Sequence, residues 1–202
     1  MSKKKSINKM SVLRPDNYIR QKSRNLPVNE CLINSDWKKS QLCELIISRK
    51  HVTGALTVCF YLVDLLCLGV KDTFFKFNIS PEELKNLLER RSGKYQLINI
   101  SYELAHNIIY AGVEYAEEYG FKPHKDFSST TIYFLEEDND AVPLIKVKCG
   151  GLDGKPCYTN TGFDSPERER AILVQLEQTA GKYNYDYILP ASSDMYFADD
   201  DN

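Results

Sequence analysis

Leu42-Cys43-Glu44-Leu45-Ile46-Ile47-Ser48, then Thr53-Gly54, then Leu56-Thr57-Val58-Cys59-Phe60-Tyr61-Leu62-Val63 is the stretch that decides the fold. Two runs rich in β-branched and aromatic residues flank a turn-forming Thr-Gly, the pattern of a β-hairpin. The β signal extends outward over Cys31–Asn78, with Leu65 to Phe77 read as a further extended segment and Gly69 as its bulge or bend.

Beyond the sheet segment, Ser80-Pro81-Glu82-Glu83 starts a helix. Ser80 caps the free amides, Pro81 suits the first helical position, and Glu83 completes a capping box. Leu84, Leu87 and Leu88 form its buried stripe and Gly93 ends it. A second helix is expected from Ser101 to Tyr119, with Gly112 in its apolar stripe marking the close approach of another backbone. Thr130–Leu135 and Leu144–Cys149 read as a strand pair about the acidic turn Glu136 to Asp140. Pro156–Thr159 follows Gly150–Gly154 as another strand, and Asp164-Ser165-Pro166-Glu167 opens a final helix. Tyr183, Tyr185 and Tyr187 alternate along a last short strand. The order implies an α+β fold, a mainly antiparallel sheet with about three helices on one face.

The chain has 202 residues, which suits one domain, and its 43% hydrophobic content excludes wholesale disorder. Residues 1–12 are expected to be a disordered basic arm, 13–190 a single α+β domain and 191–202 an acidic tail holding Asp194, Asp199, Asp200 and Asp201. Residues 1–25 carry eight Lys/Arg (Lys3, Lys4, Lys5, Lys9, Arg14, Arg20, Lys22, Arg24) against Asp16, a local +7. The remainder holds 18 Lys/Arg and 27 Asp/Glu, a net −9. A basic arm on an acidic body binds phosphate-rich polymers or folds back on that body. No apolar stretch follows Lys3, Lys4, Lys5 and Lys9, and Leu56–Val70 is short of the ~20 residues of a membrane span, so neither leader nor membrane partner is expected. The six cysteines form no Cys-x-x-Cys pair or zinc spacing, which points to reduced thiols in a cytoplasmic protein.

The densest chemical constellation runs from Glu103 to Asp126. Glu103 and His106 share a helix face in a Glu-x-x-His spacing used by carboxylate metal sites. His124 and Asp126 follow in a loop, and Asp64 and Asp72 lie in the β segment. A metal-dependent hydrolase, a nuclease for instance, would draw on Asp64, Asp72, Glu103, His106, His124 and Asp126, with Glu103, His106, His124 and Asp126 as metal ligands. Such a site requires the His124 loop to fold back along the helix, since His124 starts nearly 20 Å beyond His106 at ~1.5 Å per residue. Each candidate also has a plain structural reading. His106 suits a hydrogen-bonded core histidine, and Asp64 an ion pair with Lys71 or Arg49. No Cys–His pairing for nucleophile chemistry stands out from the sequence, with Cys67 and His106 left open, and the three tyrosines suit either base stacking or packing. No Walker loop, dinucleotide fingerprint or Gly-x-Ser-x-Gly elbow occurs, and no cofactor is expected beyond a divalent metal under the hydrolase reading.

Three blocks (Tyr61–Asp72, His106–Tyr110 with Gly120–Phe127, and Asp153–Pro156 with the preceding Leu144–Cys149) resemble a family of uncharacterised bacterial proteins over roughly residues 12–190. The resemblance implies a discrete fold in a bacterial cytoplasm and brings no activity with it. The residues favour a binding or accessory protein that contacts nucleic acid or a ribonucleoprotein, with a protein partner also open. The metal-dependent hydrolase is the alternative.

Overall fold

The computed structural model describes residues 13–92, 96–160 and 162–189. The basic arm 1–12, the acidic tail 191–202 and Gly93, expected to end the first long helix, lie outside them. Five strands form one sheet in the order β4-β3-β2-β1-β5. They are β1 (Val28–Asn34), β2 (Leu42–Lys50), β3 (Leu56–Asp64), β4 (Gly69–Ile79) and β5 (Leu97–Asn99). Every pairing is antiparallel, so the α+β reading holds.

The quoted hairpin is β2–β3, in register from Leu42 opposite Asp64 to Lys50 opposite Leu56. Its turn places Gly54 at φ 88°, a left-handed conformation that glycine adopts without a Cβ clash. Leu65–Leu68 turn the chain into β4, and Gly69, at φ 64°, starts that strand. The run expected to stay extended from Leu65 is therefore a turn followed by a strand.

Period-two alternation divides the strands between two cores. Cys43, Leu45, Ile47, Cys59, Tyr61 and Val63 pack with Ala105, Ile108 and Ile109 of helix α4 (Tyr102–Glu118). Ile46, Val58 and Phe60 pack on the other side with Leu84 of helix α3 (Pro81–Ser92). Helices thus cover both faces, which corrects the one-face expectation. Burial on both sides is why β2 and β3 read as nearly unbroken apolar runs.

The helix signals act as expected. At α3 the Glu83 amide donates to Ser80 Oγ (3.0 Å) and the Ser80 amide to Glu83 Oε2 (3.2 Å), a closed capping box. At α4 the Leu104 amide donates to Ser101 Oγ (3.2 Å). A Cβ on Gly112 would stand 2.5 Å from Val63 Cγ1, so α4 sits against the sheet closer than alanine permits.

Other elements are helix α1 (Pro15–Lys22), the single turn α2 (Trp37–Ser40), the short helix α5 (Lys125–Ser129) and helix α6 (Pro166–Thr179). Helices exceed the expected number because several are one or two turns long. The strand expected at Thr130–Leu135 is a 3₁₀ turn over Thr131–Phe134, whose Phe134 is fully buried in the α4-side core. The short strands β6 (Cys157–Thr159) and β7 (Asp186–Ile188) pair in parallel, joined by α6. Tyr183 (φ 69°) lies in the turn before β7 and only Tyr187 lies within it, so the three tyrosines do not share a strand. Among the described residues no helix is long and apolar enough to cross a membrane.

Candidate functional site

The six acid and histidine candidates are dispersed. Asp64 ends β3, 5% exposed, and its Oδ1 accepts the amides of Leu66 (2.8 Å) and Cys67 (3.1 Å), closing the β3–β4 turn. Burial pushes its carboxyl above the usual range, against the opposing pull of nearby Lys71 and those amides. Asp64 is thus a turn cap near Lys71, while Arg49 is engaged elsewhere. Asp72 is exposed on β4 and accepts its neighbour Thr73's amide (2.8 Å).

His106 is 1% exposed, and its Nε2 donates to the Glu136 carbonyl (3.2 Å). Burial lowers its basicity, countered by that carbonyl and by Asp138. Glu103 lies half-buried one turn earlier. His124 caps α5 instead, its Nδ1 accepting the Asp126 amide (3.3 Å) with the Asp126 carboxylate 4.0 Å away. The His124 amide donates to the Val70 carbonyl (2.8 Å), which fixes that loop to β4 rather than along α4. Among the described residues no three His, Cys, Asp or Glu side chains stand together as a metal-holding group. All six cysteines are free. Cys67 is fully buried with Leu68, Tyr158, Ile172 and Leu176, and burial pushes its thiol above its ordinary range. Among the described residues no hydrogen bond joins it to His106, whose Nε2 is spent on the Glu136 carbonyl.

Of the basic residues expected to contact nucleic acid, Arg14, Arg20 and Lys22 are exposed on or beside α1. Arg24 is tied to the Leu135 carbonyl and to Glu137 (3.0 Å). Lys3, Lys4, Lys5 and Lys9 lie outside the described residues.

What folding assembles is a different site. Glu136 is the anchor of the segment that carries half of it. Arg49, 2% exposed on β2, grips both Glu136 carboxylate oxygens through Nη2 (2.9 and 2.8 Å). Its other N–H groups donate to the carbonyls of Phe134 (3.1 Å), Leu26 (2.7 Å) and Arg24 (3.2 Å). Tyr102 donates to the same carboxylate and accepts the Glu136 amide (2.9 Å). The charge is therefore paired and every direction of the guanidinium used, as burial demands.

From that anchor the chain runs to Leu144–Cys149, expected as a return strand. No ladder forms there. The Asn107 side chain takes a partner strand's place, donating to the Pro143 carbonyl (3.0 Å) and accepting the Ile145 amide (3.0 Å). Alternation persists without a sheet. Val147 and Cys149 pack on the α4-side core, and Lys146 and Lys148 point to solvent.

Across from Lys146 and Lys148 lies α2. Gln41, at φ 52°, ends that turn, and its Nε2 donates to the Lys148 carbonyl (3.3 Å), bridging the two segments. Between them opens a cleft of about 430 Å³ lined by Trp37, Lys38, Lys39, Lys146 and Lys148 over a floor of Leu65 and Val147. Among the described residues no carboxylate lines it. Among the described residues none of these lysines is within 4.0 Å of an acid. Lys38 Nζ stands 5.5 Å from the centre of the Trp37 ring. Trp37 is only 9% exposed, so it supplies a wall rather than a stacking face. Sequence reasoning missed this cleft because Trp37-Lys38-Lys39 and Lys146-Val147-Lys148 lie a hundred residues apart. The available signal was two lysine pairs, one beside the only tryptophan.

Comparison with protein-family models, with curated proteins and with solved structures finds no match to this chain.

Proposed function

We propose that this is a non-enzymatic binding protein that takes single-stranded nucleic acid into the cleft between α2 and Lys146–Lys148. The observation that carries the reading is a concave site with four lysines and no acid in its lining, on a chain of net charge −2. Low-dielectric walls focus such a charge cluster and raise the local concentration of anions. A volume of about 430 Å³ lies in the small-ligand range and suits one nucleotide-sized group. With the Trp37 face covered, recognition falls on phosphate and shape more than on base identity. Lys3, Lys4, Lys5 and Lys9, with Arg14, Arg20 and Lys22, add sequence-independent attraction. Reduced thiols on all six cysteines suit action in the cytoplasm. The hydrolase alternative draws no support from the positions of its six candidate residues.

The test is fluorescence anisotropy of a labelled oligo-dT against the full chain over a salt series. Single strands contribute a slope of about −0.7 per phosphate contact, so four lysines account for about −2.8. That is about a fiftyfold loss of affinity between roughly 50 and 200 mM salt. Lys146→Gln with Lys148→Gln should halve this share of the slope. Unchanged affinity and slope when all four lysines are Gln would overturn the reading.

A further inference from the structure

A second cationic cleft lies on the other side of the β3–β4 turn. It measures about 160 Å³ and gathers Lys71 from β4, Lys122 and His124 from the loop after α4, and Arg168 from α6, on apolar walls that include Leu68 and Phe121. Among the described residues no carboxylate lines it. Arg168 spends Nε on Asp164 (2.9 Å), which leaves its terminal nitrogens as donors. His124 uses Nδ1 as an acceptor for the Asp126 amide, so the ring proton sits on Nε2 and is free to donate outward. The acids near these groups are Asp164, Asp126 and the buried Asp64. Asp164 faces Arg168, Asp126 faces His124 and Asp64 lies near Lys71, so each offsets part of one cleft cation. Lys122 has no acid within 4.0 Å among the described residues.

The turn links the two clefts physically. Leu65 floors the first, and Leu68 and Val70 line the second. Three to five residues of chain span at most ~11–18 Å. At a rise of ~3.4 Å per nucleotide, a gap within that bound is bridged by no more than about five nucleotides. The saddle between them is rigid. The Leu65 amide donates to the Gln41 carbonyl (2.8 Å), the Leu65 carbonyl accepts the Gly150 amide (2.8 Å), and the Leu66 carbonyl accepts the Cys157 amide (3.0 Å). Cys67 and Leu68 are locked beneath by Tyr158, Ile172 and Leu176.

We propose that the two clefts form one track: a single strand seated at Lys38, Lys39, Lys146 and Lys148 crosses the β3–β4 turn and places a phosphate among Lys71, Lys122, His124 and Arg168. This rests on the single-strand reading above and extends it to a site size. The smaller cleft suits a phosphate rather than a base, so the second contact adds affinity without adding sequence preference.

The experiment compares a dinucleotide, long enough for one cleft, with an octanucleotide of the same base, on the wild-type chain and on Lys122→Gln/Arg168→Gln. Both substituted side chains are surface groups, and an unchanged melting temperature confirms the fold. The octanucleotide should bind wild type more tightly than the dinucleotide. The double substitution should lower the octanucleotide salt slope by about 1.4, which narrows the loss between roughly 50 and 200 mM salt about sevenfold. The dinucleotide affinity should stay as it was. If octanucleotide affinity and slope are unaltered while Lys146→Gln/Lys148→Gln still weakens binding, the track is wrong and the single-cleft reading stands. If neither length binds wild type, both fall together.

Discussion

Replacing Glu136 by alanine is the sharpest test of how the cationic segment is held. In wild type both carboxylate oxygens face Arg49 Nη2, at 2.9 and 2.8 Å, and Tyr102 donates to the same group. Alanine leaves a guanidinium that is 2% exposed without its counter-charge. Removing one member of a fully buried pair costs about 3–5 kcal/mol. Two features lower that here. The Glu136 side chain is 35% exposed, so solvent screens part of the attraction. Arg49 also keeps its bonds to the Phe134, Leu26 and Arg24 carbonyls. The expected loss is about 2–3 kcal/mol, equivalent to a melting shift of about 4–12 °C for a domain of this size. Urea denaturation followed by Trp37 fluorescence measures it, with an unchanged m-value confirming that the folded state is intact. Glu136→Gln keeps an acceptor for one Nη2 bond and should cost less. A loss under about 0.5 kcal/mol for Glu136→Ala, within the range of ordinary surface substitutions, would refute the anchoring role.

Two pH effects follow from the buried titratable groups. His106 has a folded-state pKa below its ordinary 6.5, so the unfolded chain binds the extra proton first. Its contribution is complete above pH 6.5 and is lost as pH falls below it. His106→Phe should flatten that part of a stability–pH curve, and an unchanged curve would contradict burial of the neutral ring. Asp64 is displaced the other way, with a folded pKa above 3.8, so its ionisation weakens the fold as pH rises through that window. Asp64→Asn keeps the Oδ1 acceptor for Leu66 and Cys67 without the buried charge. Its stability relative to wild type should therefore rise from about pH 4 upward in urea titrations, and a relative fall would refute the assignment.

The parts of this fold that sequence made legible are those governed by local rules. The β2–β3 hairpin followed from composition and Thr53-Gly54, and the α3 start from the Ser80–Glu83 box. Gly112 announced the helix–sheet contact that Val63 makes. What stayed hidden depended on distant partners. Thr131–Phe134 has strand-like composition, yet it winds into a 3₁₀ turn because Phe134 fills the core and its carbonyl is taken by Arg49. Leu144–Cys149 alternates like a strand, but a side chain, Asn107, stands where a neighbouring strand would. The parallel β6–β7 pair needs α6 as a crossover, and no local signal specifies it. The candidate site was hidden for the same reason. His106 and His124 looked adjacent to chemistry but each is absorbed locally, whereas the lysines at 38, 39, 146 and 148 meet only after α2 and the 144–149 segment dock beside Leu65.

The charge layout along that segment gives the proposed track a direction. Glu136, Glu137, Asp138 and Asp140 lie at one end of it and Lys146 and Lys148 at the other. The cleft beside His106 is lined by Asp138 and Asp140, and Glu114 on α4 is held above its ordinary pKa by burial and by its bond to Asp138. Protons, not anions, are what that end of the molecule attracts. At a Debye length of about 8–10 Å the acidic end repels a strand only within its own neighbourhood. Under the proposal it would leave the lysine cleft usable while disfavouring the route along α4. On the proposed reading, a strand leaving Lys146 and Lys148 would meet further cations across the β3–β4 turn at Lys71 and Lys122, of which Lys122 has no acid within 4.0 Å among the described residues. On the proposed reading, the acidic charge that dominates the body of the chain would restrict where a polyanion lies rather than prevent it from binding.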